Sequence, residues 1–90
     1  MLQIELIPDL THCIETVARK EYNDLIKAYL RAGTSDAELE EKIELLRSFL
    51  ETTDFRKLRQ ESESYLLQGL KVKFIVYQED GETRYRLAMA

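Results

Sequence analysis

Residues 70–89, which read LKVKFIVYQEDGETRYRLAM, decide the fold of this chain. Apolar and polar side chains alternate on both sides of Asp80-Gly81, and this dipeptide between alternating runs is the strongest short-range signal for a β-hairpin. A two-residue turn there fixes the register, because each inner apolar residue then faces another apolar residue. The predicted inner pairs are Val76 with Tyr85, Phe74 with Leu87, and Val72 with Met89.

Residues 1–7 have the same period of two, with Leu2, Ile4 and Leu6 on one side. An isolated two-stranded hairpin is marginally stable in water, so a third strand beside it is physically favoured. We therefore expect the N-terminal residues to form a further strand of the same antiparallel sheet.

Three helices are predicted between this strand and the hairpin. A helical spacing of apolar residues indicates a first helix over about residues 10–32, with Asp9 as its N-cap and Gly33 as its C-cap. The third helix covers residues 54–68 and presents an apolar stripe that includes Phe55 and Leu58.

The second helix is predicted from its start. Ser35 and Glu38 have the spacing of a capping box, so we expect the helix to start at Asp36. Together these elements predict an α+β fold, a single domain over residues 1–90. Its three helices would pack on one face of a small antiparallel sheet, made of the C-terminal hairpin and the N-terminal strand.

Composition limits the classes of function. The chain has 90 residues, a formal net charge of −4, one His and one Cys, so most metal sites and catalytic triads lack their parts. We expect no catalytic residues, no metal and no cofactor, and therefore no enzyme. No apolar run is long enough to span a bilayer, so we expect no membrane association and a cytoplasmic location.

Two candidate groups have simple structural interpretations. His12 and Cys13 are adjacent, and neighbours on a helix point about 100° apart, so they are not expected to act as base and nucleophile. The acidic run that includes Glu38, Glu41 and Glu44 is interpreted as a solvated helix face.

Glu21 is the candidate functional buried carboxylate. A helical wheel places it between Val17 and Leu25, within the apolar half of the first helix. A charge there is costly unless it is paired. The structural interpretation is a carboxylate that pairs with a cation or a Tyr hydroxyl, or that extends to solvent at the rim of the core; the functional one is an acid or base with a raised pKa.

The outer face of the predicted hairpin is the candidate partner interface. It combines cations with apolar and aromatic side chains, a combination found in solvated faces, in protein contacts and in surfaces that bind single-stranded nucleic acid. The candidate interface residues are Lys73, Ile75, Tyr77, Arg84 and Arg86. An exposed Ile75 beside Tyr77 favours a homodimer contact.

The last 55 residues also resemble a winged-helix DNA-binding domain, since they offer two helices joined by a three-residue turn and followed by a hairpin. The segment Thr83-Arg84-Tyr85-Arg86-Leu87 is similar to the second wing strand of such regulators. The resemblance implies that the helix over residues 54–68 enters the DNA groove while the hairpin meets phosphates. The implied nucleic-acid contacts are Arg56, Lys57, Gln60, Lys71 and Arg84.

The leading hypothesis for function is a small non-enzymatic protein interaction domain that self-associates, because catalytic parts are missing while amphipathic elements are present. Its expected partner is a second copy or another protein. The alternative is the winged-helix-like DNA-binding protein, which the acidic net charge disfavours.

Overall fold

The computed structural model describes residues 2–33 and 36–90. Within them the chain forms three helices and one three-stranded antiparallel sheet, which confirms the α+β fold. The elements, in chain order, are β1 (Gln3–Leu6), α1 (Ile14–Ala32), α2 (Ala37–Thr52), α3 (Phe55–Leu67), β2 (Val72–Glu79) and β3 (Glu82–Met89). The strand order is β1-β2-β3, so the N-terminal strand joins the hairpin as predicted and β2 lies in the centre.

The hairpin register is confirmed. Val76 pairs with Tyr85, Phe74 with Leu87 and Val72 with Met89. Both turn residues have positive φ, 54° at Asp80 and 77° at Gly81, as a tight type I′ connection requires. On the other side of β2, Ile4 lies opposite Val76 and Leu6 opposite Phe74. The three strands therefore place their apolar residues on one common face.

One backbone hydrogen bond fixes which groups of β3 face β2. The Ala90 amide donates to the Lys71 carbonyl at 3.0 Å, so this pair belongs to the hydrogen-bonded kind. Such pairs alternate with non-bonded pairs along an antiparallel ladder. The even-numbered residues of β3 therefore bond to β2. The backbone groups of Thr83, Tyr85, Leu87 and Met89 point away from the sheet.

The inner face of the sheet and the three helices share one core. Phe74, Val76 and Leu6 are at most 2% exposed, and the helices cover them with a set of side chains that is equally buried. That set is Ile14, Ala18, Leu45, Leu46, Phe49 and Leu58. Phe49 lies at the middle, with its ring edge-on to Phe55 at 5.4 Å between centroids and to Tyr85 at 6.3 Å.

The predicted start of the first helix at residue 10 is wrong, since α1 begins at Ile14. Asp9 does not cap it. The Asp9 carboxylate instead accepts hydrogen bonds from the Thr11 and His12 amides, at 2.8 and 2.6 Å, and closes a local turn. This turn satisfies the backbone groups that a longer helix would use, and Cys13 becomes the N-cap residue. The predicted C-cap is confirmed, with Gly33 at a φ of 65°.

The other helix starts follow their caps. Asp36 accepts from the amides of Glu38 and Leu39 and starts α2, whereas Ser35 of the predicted capping box lies outside the described residues. Asp54 caps α3 in the same way. Among residues 2–33 and 36–90, no helix has both the length and the apolar character needed to cross a membrane.

Candidate interaction surface

The outer face of the sheet corrects one prediction. Ile75 is only 4% exposed, so it is not an apolar contact open to a partner. It lies on the central strand between Glu5 of β1 and Arg86 of β3, with Lys73 and Tyr77 on either side along β2. Long side chains on all sides of a central position exclude water from it. Tyr77 is half-buried in the same row of side chains.

Two of the four cations on the outer face have carboxylate partners. The Lys73 ammonium lies 3.1 Å from Glu5 across the strands. Arg84 lies 3.0 Å from Glu82 and 3.9 Å from Glu79. Within the described residues, Arg86 and Lys71 have no such ion pair. The outer face is therefore a partly neutralised surface, on which Glu5, Glu79 and Glu82 separate the cations, rather than a continuous basic patch.

The edge of β3 is the surface that sequence reasoning missed. Within the described part of the chain, no strand lies on its far side, so the outward amides and carbonyls of its odd-numbered residues form an open ladder. The same residues turn apolar side chains to the inner face. Tyr85 and Leu87 are half-buried there, and Met89 is 53% exposed.

Tyr85 anchors this edge to the core. Its ring contacts Phe74 at 5.9 Å between centroids as well as Phe49. Burial, with additional repulsion from Glu61 and Asp54, raises the pKa of its phenol. Tyr85 therefore packs on the core and still keeps part of its surface exposed.

Further apolar surface lies at the end of the sheet where Met89 sits. Leu67 is the last residue of α3 and is 69% exposed, and Leu70 is 42% exposed. Leu70 precedes β2 by two residues, and the first residue of β2, Val72, is the partner of Met89. The sequence contained a signal for the β3 edge, since each strand of a hairpin must either pair with a further strand or form an edge of the sheet.

Cys13 occupies the N-cap position of α1. Its sulfur lies 3.3 Å from the Thr16 hydroxyl. Hydrogen bonds from the Thr16 side chain and backbone lower the pKa of the thiol, with a smaller contribution from the nearby Arg59 guanidinium. Cys13 and Arg59 both line two shallow cavities between α1 and α3.

His12 does not join this group. Its Nδ1 lies 3.3 Å from Asp9, and it lines a different depression from Cys13. The two residues precede α1, so the helical angle between neighbours does not apply to them. The structure nevertheless places His12 and Cys13 at separate surfaces.

Glu21 is half-buried rather than fully buried, so its carboxylate reaches solvent. It borders a solvent-open depression together with Ile7 and Lys20. The helical wheel put Glu21 near the middle of the apolar stripe, but the buried residues of α1 are Ile14, Ala18 and Leu25. Glu21 keeps part of its side chain in solvent.

The acidic side of α2 is compensated within the helix. Lys42 lies 3.4 Å from Glu38, and Arg47 bonds to both Glu44 and Glu51. Among the described residues, no group of three or more His, Cys, Asp or Glu side chains is arranged to hold a metal ion.

The residues implied by the winged-helix resemblance are divided between two sides of the molecule. Arg56, Lys57 and Gln60 are exposed on α3, which packs against α1 and β2 on the inner side of the sheet. Arg84 projects from the outer face, where Glu82 binds it. Lys71 is exposed beside the start of β2. The structure does not bring the α3 set and Arg84 together.

The fold defines a class, that of small α+β domains with three helices and a three-stranded antiparallel sheet. Residues 1–86 match the model of one protein family, and the chain belongs to that family. The family's description gives no activity. An uncharacterized protein of Archaeoglobus fulgidus is 44% identical over 50 residues, which cover 53% of this chain and 59% of the archaeal protein. No solved structure matches the chain.

Proposed function

We propose that the chain is a protein interaction domain that self-associates through the edge of β3. The observation that carries the proposal is an eight-residue edge strand with outward-pointing backbone groups and an apolar inner side that is only partly covered. Strand addition at such an edge gives both main-chain hydrogen bonds and side-chain burial.

The two contributions have different weights. Water already satisfies the exposed amides, so each new backbone hydrogen bond contributes only about 0.5–1.5 kcal/mol. Covering Met89 and the open halves of Tyr85 and Leu87 removes apolar area from water, at about 25 cal/mol per Å². The apolar row on the inner side therefore decides whether the edge binds.

The edge of β3 is better suited than the outer face of the sheet to bind a second copy. Ile75, the central apolar residue of the outer face, is 4% exposed and has little surface to give to a partner. Met89 has half of its surface open at the same edge that carries the open backbone ladder. A partner strand on β3 would cover both.

The test is light scattering behind gel filtration, run as a concentration series at low and high salt. We expect a dimer for the wild-type chain and a monomer for Met89→Lys, because the ammonium would sit in the apolar contact. Leu30→Lys is the matched control. Leu30 is 72% exposed on α1, far from β3, and its replacement should leave the dimer intact.

The same runs with added duplex DNA test the alternative. A DNA complex whose affinity falls with rising salt, with a log–log slope proportional to the number of phosphates neutralised, would favour the winged-helix-like function. It would assign the phosphate contacts to cations such as Arg56 and Lys57, which are exposed on α3. A wild-type chain that stays monomeric at every concentration would overturn self-association.

A further inference from the structure

We propose that two copies pair their β3 strands antiparallel about a two-fold axis at Leu87, which places Arg86 of each copy opposite Ala88 of the other. This inference rests on the proposed self-association and specifies its geometry. It would join two three-stranded sheets into one continuous sheet of six strands.

The backbone restricts the possible registers. The outward amides and carbonyls belong to the odd-numbered residues of β3, as the bond from Ala90 to Lys71 shows. In an antiparallel pair these groups must lie opposite one another, so odd-numbered residues pair with odd-numbered residues. A two-fold axis must then pass through a single residue position, and each choice of that position gives one register.

Charge removes three of these registers. An axis at Arg84 places Arg84 opposite its own copy, and an axis at Tyr85 places Arg84 opposite Arg86. An axis at Arg86 again places two like charges face to face. Like charges directly opposite on a sheet are destabilising, and here they would meet in the close, non-hydrogen-bonded pairs.

An axis at Leu87 avoids every such contact. Arg86 then lies opposite Ala88, and Arg84 opposite Ala90, so each guanidinium extends over a small side chain. On the inner side Leu87 faces Leu87, and Tyr85 faces Met89 on both halves of the contact. The same register therefore covers Met89, which is 53% exposed in the single chain.

The register centred on Ala88 is the nearest competitor. It also keeps the arginines apart, but it leaves Tyr85 outside the contact and pairs a shorter part of β3. The inner row is then reduced to Leu87 with Met89. Because the apolar row decides the binding, the axis at Leu87 is favoured.

Disulfide trapping on the outer face tells these registers apart. Opposite residues in a non-hydrogen-bonded pair have Cα atoms about 4.5 Å apart, which suits a disulfide, whereas diagonal neighbours are about 7–8 Å apart and do not. The experiment uses two chains in a Cys13→Ser background, one carrying Arg86→Cys and the other Ala88→Cys. A tag on one chain distinguishes the products by mass.

Oxidation of the mixture should give cross-linked heterodimers, while each variant oxidised alone should stay largely uncross-linked. Cross-linking of Ala88→Cys alone would place the axis at Ala88, and cross-linking of Arg86→Cys alone would place it at Arg86. Either result overturns the register and leaves self-association standing.

Light scattering on the same samples separates the two failures. A dimer that forms no cross-link in the mixture or in either variant alone would overturn the register centred on Leu87. A monomer before oxidation would overturn both the register and the proposed function. Gln3→Cys in place of Arg86→Cys is the matched control, since the far edge of the sheet should give no cross-link with Ala88→Cys.

Discussion

The two edges of the sheet differ although both end in open backbone groups. β1 has four residues, and Pro8, which carries no amide hydrogen, follows two positions after it. Its inward residues Ile4 and Leu6 are 7% and 2% exposed. β3 has eight residues without a proline and ends in Met89, which is 53% exposed.

This difference indicates that the length of an edge strand and the burial of its side chains, as well as its open hydrogen-bonding groups, determine whether it can pair with another chain. The segment after β1 turns sharply at Asp9 and leads into α1, which packs against the strand. α2 packs against β3, but Met89 at the end of β3 stays exposed. Short, covered strands resist pairing with other chains, whereas long and uncovered ones invite it.

The largest expected effect concerns the stability of the single chain. Ile4→Ala should lower the free energy of unfolding by about 2–5 kcal/mol, because it leaves a cavity under a covered strand. Met89→Ala should change the free energy of unfolding by only about 0.5 kcal/mol, since its side chain is half in water. Urea denaturation at concentrations where the chain is monomeric measures both. Equal losses would mean that the two edges are equally covered.

A smaller effect concerns the dimer. Met89→Pro, compared with Met89→Ala, additionally removes an amide that points away from β2, so the internal ladder survives, but the dimer loses two symmetric hydrogen bonds. At about 0.5–1.5 kcal/mol each, the dimer dissociation constant of Met89→Pro should exceed that of Met89→Ala by about fivefold to a hundredfold. Gln3→Pro removes the equivalent outward amide of β1 and should leave the dissociation constant unchanged. Sedimentation equilibrium gives both values, and a weaker dimer for Gln3→Pro would assign the contact to β1.

The smallest expected effect on assembly is at Cys13, beside the closed edge. Alkylation of this thiol should leave the dimer dissociation constant unchanged. Its rate should reach half-maximum at a pH below 9.0, the usual pKa, since Thr16 stabilises the thiolate. Thr16→Val should move that midpoint upward.

The sign of the accompanying stability change follows from the lowered pKa of Cys13. The folded chain stabilises the Cys13 thiolate more than the unfolded chain does. The contribution of this thiolate to the free energy of unfolding is therefore complete above the pKa of the unfolded chain, and it is lost as the pH falls through the pKa of the folded chain. An alkylation midpoint that does not respond to Thr16→Val would contradict the hydrogen-bond explanation.

The sequence was sufficient for the elements that local chemistry specifies. Asp80-Gly81 set the turn and the alternation on both sides set the register, so every predicted inner pair is present. The C-cap at Gly33 was also readable, since it depends on one residue that adopts a positive φ.

The errors arise where tertiary placement decides. Asp9 has the chemistry of an N-cap, but its carboxylate closes a turn three residues wide, and α1 begins later. Ile75 was placed on the correct face, yet its burial depends on β1 and β3 lying on both sides of β2. Glu21 shares a helical stripe with apolar residues, yet its partial burial depends on which part of that stripe the rest of the fold covers.

Pro8 and the short β1 also decide how many copies an assembly can hold. When two β3 edges are joined about a two-fold axis, the strands left at the margins are the two copies of β1. Neither margin can accept another chain easily, so growth stops after one step instead of continuing into a filament. In the proposed dimer, the four-residue β1 at each margin would thus limit the assembly to two copies.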